Sequence, residues 1–159
     1  MEVYIREYIS GELGLVSYKQ MEIYREQYGF RPIFEYYILD AMADFCRDNE
    51  GGMLWVAEVE GAVKGAVAIV KVDSKLAKLR WFYVDPDVQG NGIGRTLMNK
   101  ALEFCRGMNY EQVELWTVDE LVRARRLYAS FGFVHVEDVP NEEWTDHQLM
   151  EEKWLLTLK

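Results

Sequence analysis

The sequence predicts a mixed α/β fold (an α+β mixed sheet) in which a mostly antiparallel sheet is combined with helices. Apolar and polar residues alternate in VYIREYI, as in a strand, whereas longer segments repeat apolar residues at helical spacing. The segments MLWVAEV, AVKGAVAIVKV and KLRWFYV follow one another across short turns, which favours antiparallel neighbours. The predicted order is β-α-α-β-β-β-α-β-α-β-β, which differs from that of a doubly wound parallel sheet.

Two helices are predicted after the first strand, from about Val16 to Tyr28 and from Pro32 to Asp48. Proline suits the first turn of a helix, where its missing N–H would have no partner, and glycine suits a helix end. Pro32, Gly29 and Gly51 therefore mark the boundaries of these helices.

The second half of the chain alternates helices and strands. One helix is predicted from Arg95 to about Arg106, with Gly107 as a left-handed cap, and another from about Glu120 to Ser130. The remaining predicted strands are QVELWTV, FVHVEDV and MEEKWLLTL.

Length and charge restrict the class of protein. A chain of 159 residues, half of them hydrophobic, predicts one domain, 1–159, with its own core. A net charge of -9 argues against nucleic acid as a partner, because such binders need clustered Lys and Arg. The N-terminal MEVYIREYIS carries charges where a signal peptide needs an apolar run, and no segment approaches membrane-spanning length. We therefore expect a cytoplasmic protein without a membrane contact.

Neither cysteine supports a disulfide framework. Cys105 continues an apolar helical stripe, and Cys46 lies at the end of another helical run. Free cysteines are among the most buried residues. Both are predicted to be reduced and structural.

Three glycines at alternate positions, Gly90, Gly92 and Gly94, separate a predicted strand from a predicted helix. A helix N-terminus presents unpaired N–H groups and the positive end of the helix dipole, and therefore attracts anions. A plain connection needs only one or two glycines, since each costs up to about 1 kcal/mol relative to alanine. The three glycines favour a phosphate-binding loop.

Two common phosphate loops do not fit the spacing. A P-loop needs glycine five residues before Gly94, where this chain has Gln89, and it needs lysine where this chain has Arg95. A dinucleotide-binding fingerprint starting at Gly90 would also need its third glycine at Arg95.

The pattern that fits is Gln/Arg-x-x-Gly-x-Gly/Ala, at Gln89, Gly92 and Gly94, directly after a strand that ends in Val-Asp-Pro. A second pattern, Ala-x-x-Leu-Tyr-x-x-x-Gly-Phe, matches Ala124 to Phe133, about 35 residues further along. With these two signatures the chain resembles the GNAT acetyltransferase superfamily over essentially its whole length. The resemblance implies a sheet that splays apart at an acetyl-coenzyme A (acetyl-CoA) site.

The segments GELGLVSYKQMEIYREQYGF and ELWTVDELVRARRLYASFGF are also similar to the acetyltransferase half of bacterial proteins that fuse a MarR-type DNA-binding domain to a GNAT domain. We expect this chain to begin where the acetyltransferase would, without a winged-helix segment before it.

The resemblance implies N-acetyl transfer from acetyl-CoA, used as a co-substrate and without a metal, to an amine. It assigns cofactor binding to one strand end and the following loop and helix start. These residues are Phe82, Tyr83, Val84, Gln89, Gly90, Asn91, Gly92, Ile93, Gly94, Arg95 and Thr96. The backbone of Phe82 to Val84 would pair with the pantetheine arm like an added strand, and an N–H near Val84 would bind the oxyanion.

The resemblance assigns one catalytic residue, Tyr128, as the general acid that protonates the departing thiolate. The alternative from the sequence alone is an aromatic residue that packs in the core. The alternative function is a module that binds or senses acyl-CoA without catalysis.

The sequence does not identify the general base. A lysine-like amine has a pKa of about 10.4 and must lose a proton before it attacks. Some relatives carry Glu on the strand before the loop, where this chain has Lys78. The other candidates are Glu35, Glu58, His135 and His147.

A further departure lies before the second signature, where many relatives have Asn and this chain has Leu121. Thr117 or Asp119 are the candidate substitutes. Arg95, Arg123 and Arg126 are candidates for phosphate contacts, since guanidinium groups pair well with phosphate. A solvated helix face is the alternative for Arg123 and Arg126.

The acceptor is left open as a small cationic amine, an amino acid, or an amine on a protein. In this fold the acceptor site lies under the first two helices and the last hairpin. The corresponding segments, Tyr24 to Tyr37 and Val136 to His147, are aromatic and acidic. These residues suit a cationic amine, or else form ordinary core and an acidic loop. Dimers are common in the family, so a homodimer is a candidate state.

Overall fold

The computed structural model describes the whole chain, residues 1–159, and its elements follow the predicted order. A short 3₁₀ turn, Pro86–Val88, is added after the fourth strand. The strands are β1 (Val3–Glu7), β2 (Met53–Val59), β3 (Ala62–Lys71), β4 (Leu76–Val84), β5 (Gln112–Val118), β6 (Val134–Asn141) and β7 (Leu149–Thr157). The helices are α1 (Glu12–Tyr28), α2 (Pro32–Arg47), α3 (Ile93–Gly107) and α4 (Val122–Ser130).

All seven strands form one sheet in the order β1-β2-β3-β4-β5-β7-β6. Every pairing is antiparallel except that of β4 with β5. These two strands pair in parallel only from Leu76 opposite Gln112 to Lys78 opposite Glu114. Beyond that point they separate, which confirms the predicted splay in the sheet.

The helices cover the sheet on both faces. On one face α3 and α4 pack over a core of 21 buried residues, and the predicted stripe of α3 through Leu97, Ala101 and Cys105 is fully buried there. On the other face α1 and α2 pack over a second core of 15 buried residues. None of the helices combines the length and apolar character needed to cross a membrane.

A bulge changes the facing of β4. The register between β3 and β4 shifts at Ala66 to Ala68, and Trp81 opposite has a positive φ of 50°. Residues two apart on a regular strand share a face, but Leu79 belongs to the core under α3 and Trp81 to the core under α1. The bulge therefore places Arg80 and Trp81 on the same face of the sheet.

Several sequence predictions differ from the structure. Helix α3 begins at Ile93 instead of Arg95, and Gly107 is its last helical residue and not a left-handed cap, since the left-handed φ of 62° falls on Asn109. Helix α1 begins at Glu12, before the predicted Val16, because it accommodates Gly14 within its first turn. Helix α4 begins at Val122 instead of Glu120. Cys105 is buried as predicted, but Cys46 is exposed, because the buried stripe of α2 runs through Ile38, Met42 and Phe45 on another side of the helix.

Two glycines offer a matched test of the backbone. Gly14 has free space around it within α1, so Gly14→Ala is expected to raise the free energy of unfolding by about 0.5–1 kcal/mol. A Cβ on Gly52 would lie 2.2 Å from the carbonyl oxygen of Ile69. Gly52→Ala is therefore expected to lower the free energy of unfolding by about 1–3 kcal/mol. Urea unfolding curves measure both changes, and equal midpoints for the two variants would contradict this packing.

Candidate active site

Two cavities meet where β4 and β5 separate. One, here called the loop cavity, has a volume of about 510 Å³ and lies between the glycine-rich loop, α1 and α4. The other, here called the aromatic cavity, has a volume of about 520 Å³ and lies between the sheet, α1, α2 and the segment around Trp144. Tyr24, Phe82, Leu121 and Tyr128 line both cavities, so the two spaces share a junction.

Most of the residues that the resemblance assigned to the cofactor line the loop cavity. They are Phe82, Tyr83, Val84, Gln89, Gly90, Gly92, Ile93, Gly94 and Arg95. Asn91 and Thr96 are not among the lining residues. The Asn91 amide donates to the carbonyl of Val88 at 2.9 Å, and the Thr96 hydroxyl donates to the carbonyl of Gly92 at 2.9 Å. These two side chains shape the loop and the helix start.

The three glycines of the loop serve two purposes. Gly90 and Gly92 have left-handed φ values of 86° and 76°, and a Cβ on either would enter open space. Gly94 lies inside α3, where a Cβ would come within 3.3 Å of the Phe82 ring and 3.4 Å of Leu127. Two glycines thus leave the backbone accessible, and the third allows α3 to pack closely against β4 and α4.

The loop cavity is electropositive although the chain has a net charge of -9. Helix α3 begins at Ile93 without a side-chain cap, so the N–H groups of its first turn lack intrahelical partners. Arg95, Arg123 and Arg126 line the cavity and no carboxylate does. Arg95 donates to the hydroxyl of Ser130 at 3.1 Å, and Arg123 donates to the side chain of Gln89. This arrangement suits a ligand with several phosphates.

Tyr128 lies at the junction with 6% of its surface exposed, among the rings of Phe82, Phe133 and Trp154. Burial raises the pKa of its phenol well above the usual range. The neighbouring Tyr24 is partly buried, and desolvation of its phenol raises its pKa to about 12. Both phenols therefore keep their protons at neutral pH.

Helix α4 is fixed to the sheet one turn before Tyr128. Arg125 Nε donates to the buried carboxylate of Glu152 on β7 at 2.8 Å, and the Trp154 indole donates to the same oxygen at 3.1 Å. His135 and Asp138 bring ligand-type atoms within 4.8 Å of Glu152. Because Glu152 already pairs with Arg125, this cluster serves as a structural contact between α4 and β7.

The aromatic walls of this cavity combine residues of α1 and α2 with Trp144, far along the chain. Phe34 packs against Phe30 and Trp144 with ring centres 4.7 and 4.8 Å apart, which joins α2 to the segment before β7. The charged residues that line this cavity are Lys78, Arg80 and Glu151. Gln20 Oε1 and Thr117 Oγ1 are buried without a hydrogen-bond partner, and both residues line the same cavity.

The structure does not bring the predicted general bases to either cavity. Glu35 is exposed on α2, and Glu58 pairs with Arg6 at 3.1 Å. His135 is exposed and pairs with Asp138 at 2.6 Å.

The fourth candidate, His147, is exposed and contacts Asp146 and Glu120, and hydrogen bonds to these carboxylates raise its pKa. Sequence reasoning missed Glu151, the one carboxylate that lines the aromatic cavity. Glu151 lies on β7 opposite Val118 of β5, a pairing between distant segments that no local pattern reveals.

The structure distinguishes between the two residues considered as substitutes for the missing asparagine, Thr117 and Asp119. Leu121 occupies the N-cap position of α4 and makes no capping hydrogen bond. Asp119 exchanges two hydrogen bonds of 3.0 Å with the backbone of Met150, so its carboxylate is engaged. The unpaired hydroxyl of Thr117 lines the aromatic cavity and not the loop cavity.

The model of the acetyltransferase (GNAT) family matches residues 18–133 of the chain. The chain belongs to the GNAT family. It is 31% identical over 136 residues to an uncharacterized N-acetyltransferase of Archaeoglobus fulgidus, covering 82% of this chain and 84% of that protein. It is 38% identical over 87 residues to the N-acetylaspartate synthetase of Xenopus tropicalis, covering 54% of this chain and 32% of that protein. The chain thus spans about a third of the synthetase.

The GNAT fold is also found in the structure of yncA from Salmonella typhimurium with its cofactor acetyl-CoA. The two superimpose with a TM-score of 0.78 at 18% sequence identity, over 100% of this chain and 95% of that chain. Family membership confirms the resemblance noted in the two signatures, and with it an acetyl-CoA-dependent acetyltransferase domain. The similarity to MarR–GNAT fusions stays a prediction, as do the cytoplasmic location and the roles of individual residues.

Proposed function

We propose that this GNAT protein transfers the acetyl group of acetyl-CoA to a primary amine by direct attack, with both substrates bound at once. The observation that supports this proposal is the junction of the two cavities at Tyr128. The loop cavity would hold acetyl-CoA and the aromatic cavity the amine. The thioester and the amine then meet at the junction, so that no covalent enzyme intermediate is needed.

The loop cavity fits the chemistry of the cofactor. The backbone around Gly92, Ile93 and Gly94 offers N–H groups to the pyrophosphate, and Arg95 and Arg123 offer guanidinium groups to phosphate oxygens. Beyond Lys78, β4 no longer pairs with β5. The edge of Phe82 to Val84 therefore faces no strand, although the Val84 carbonyl accepts the Gln89 amide at 3.1 Å and the Phe82 carbonyl the Gln20 amide at 3.5 Å. The amide groups of the pantetheine arm would replace these contacts and pair with β4 as an added strand would.

The transfer requires that a C–N bond forms and a C–S bond breaks. An acceptor that arrives as an ammonium loses one proton before it attacks and a second, to water, from the tetrahedral intermediate, while the leaving thiolate gains one. Glu151 is proposed to accept the proton of the attacking amine, directly or through water. A backbone N–H near Val84 would stabilise the negative charge that develops on the carbonyl oxygen. Tyr128 would give its proton to the leaving thiolate and would recover one from solvent.

The loop assignment predicts that Gly92→Glu weakens acetyl-CoA binding by about 100-fold or more, because a carboxylate would occupy the place of the pyrophosphate. Calorimetric titration measures the dissociation constant. Gly107→Glu places the same residue at the other end of α3, in open space, and is the matched control. Equal affinities for the two variants would exclude the loop as the phosphate site.

The acid assignment predicts that Tyr128→Phe lowers kcat by about 100-fold or more while acetyl-CoA affinity stays unchanged. Because burial raises the pKa of Tyr128, its protonated form persists to high pH, and wild-type kcat should not decline below about pH 10. Thiol release against pH measures both effects. Tyr110→Phe, which removes a buried hydroxyl bound to the Gly51 carbonyl, is the control. Full activity of Tyr128→Phe would assign this residue to packing alone.

The base assignment predicts that Glu151→Gln lowers kcat/KM by about 100-fold near pH 7. The loss should shrink as the pH approaches the pKa of the amine, because the acceptor then arrives neutral. Glu103→Gln removes the same charge from an exposed site on α3 and should behave as wild type. A loss in Glu151→Gln that is independent of pH would show that Glu151 does not accept this proton.

A further inference from the structure

Two cations on β4 line the aromatic cavity without ion-pair partners. Lys78 and Arg80 are both partly buried, and neither comes within 4.0 Å of a carboxylate. Glu114 lies opposite Lys78 in the parallel register of β4 and β5. Its carboxylate is already engaged by Lys153, with an N to O distance of 3.3 Å. The cavity therefore has an excess of positive charge on its β4 wall.

The position of this charge is fixed by the fold. The bulge at Trp81 places Arg80 on the same face as Trp81, and the Arg80 guanidinium carbon lies 5.1 Å from the centre of the Trp81 ring. Burial lowers the pKa of both Lys78 and Arg80, and the charge of Arg80 lowers that of Lys78 further, while the charge of Glu114 acts in the opposite direction without cancelling the shift. Two like charges held together in a partly dry site are unfavourable unless an anion joins them.

The same cavity contains buried polar groups that lack partners. Gln20 is 5% exposed and its Oε1 accepts no hydrogen bond, and Thr117 is 8% exposed with an unpaired hydroxyl. Buried polar groups in proteins are almost always paired, so these two point to a polar ligand or bound water in the cavity. Glu151, held by the Asn141 amide at 3.1 Å, adds one carboxylate to the lining.

We infer that the acceptor is an amine that also carries a carboxylate, which Lys78 and Arg80 bind. This inference rests on the proposed function, because it names the class of acceptor for the same site. The amine would face Glu151 and Gln20, which supply oxygen acceptors, while the carboxylate would lie against the β4 wall. Amino acids fit this description, whereas a polyamine would place further positive charge against Lys78 and Arg80.

The acidic residues that favoured a cationic acceptor do not contribute to the cavity. Glu35, Glu142 and Asp146 are exposed, and none of them lines the aromatic cavity. The aromatic residues of the same segments do line it, as apolar walls around the charged groups. On this proposal the acceptor binds where the resemblance placed it, and the charge that recognises it is opposite in sign to the charge expected from the sequence.

The first experiment measures binding separately from turnover. The protein, saturated with coenzyme A, is titrated calorimetrically with L-alanine and L-alaninamide, with L-leucine and L-leucinamide, and with spermidine. In each pair a carboxylate is exchanged for an amide of similar size. The acid is expected to bind at least about tenfold more tightly than its amide, and spermidine more weakly than either acid.

The second experiment removes the charges. Lys78→Met and Arg80→Met conserve most of the side-chain volume and should reduce the affinity for the acids by about tenfold or more, to the level of the amides. Affinity for coenzyme A should not change. Arg80→Lys should restore part of the preference for acids. Lys75→Met removes the same charge from a side chain that is 76% exposed and should match the wild type.

Failure of the inference and failure of the proposed function give different results. If the amides or spermidine bind as tightly as the acids, or if both methionine variants bind acids as the wild type does, the carboxylate site is excluded. If acids bind selectively but no amine releases thiol from acetyl-CoA, the carboxylate site stands and the proposed transfer fails. Circular dichroism of each variant verifies that a loss of binding does not reflect unfolding.

Discussion

The candidate site depends on the point at which β4 and β5 stop pairing. Three residue pairs hold the strands in parallel, after which neither strand pairs with the other, and the Phe82 and Val84 carbonyls of β4 accept the side-chain amides of Gln20 and Gln89. Buried backbone groups require partners, so such an edge inside a protein is a place for water or a ligand to bind. The same separation opens both cavities and lets Tyr128 reach their junction. Fully paired strands would close the sheet and leave the glycine-rich loop without a neighbouring cleft.

The bulge in β4 is the second constraint, and it divides the strand into two functional parts. Before the bulge, Ala77 and Leu79 belong to the core under α3, and Lys78 and Arg80 line the aromatic cavity. After it, Trp81 and Tyr83 belong to the core under α1, and Phe82 and Val84 turn toward α3. A change of one residue in register reverses the facing of every side chain. The cations and the proposed cofactor edge can therefore follow each other on one strand and still serve different cavities.

The element order and the glycine loop were accessible from the sequence, because each depends on local periodicity or on spacing within one segment, whereas Tyr128 was singled out only through the resemblance to the GNAT family. The wrong assignments required long-range information. Cys46 lies on a helical run with apolar residues, but only the docking of α2 determines that Phe45 faces inward and Cys46 outward. Glu151 reaches the cavity through the pairing of β5 with β7, and Lys78 was visible only as the absence of a glutamate. The bulge that directs Arg80 leaves no signature in KLRWFYV.

Charge must be considered on the scale of the site and not of the chain. The chain has 27 acidic and 18 basic residues, which by itself favours a cationic partner. At physiological ionic strength, however, exposed charges are screened beyond about 8 Å, whereas partly buried charges act on a bound ligand with little screening. The two cavities together are lined by five cations, Arg95, Arg123, Arg126, Lys78 and Arg80, and by one carboxylate, Glu151. A protein with an acidic exterior can therefore present an anion-binding interior, and both substrates would meet Tyr128 with their negative groups held away from the reacting atoms.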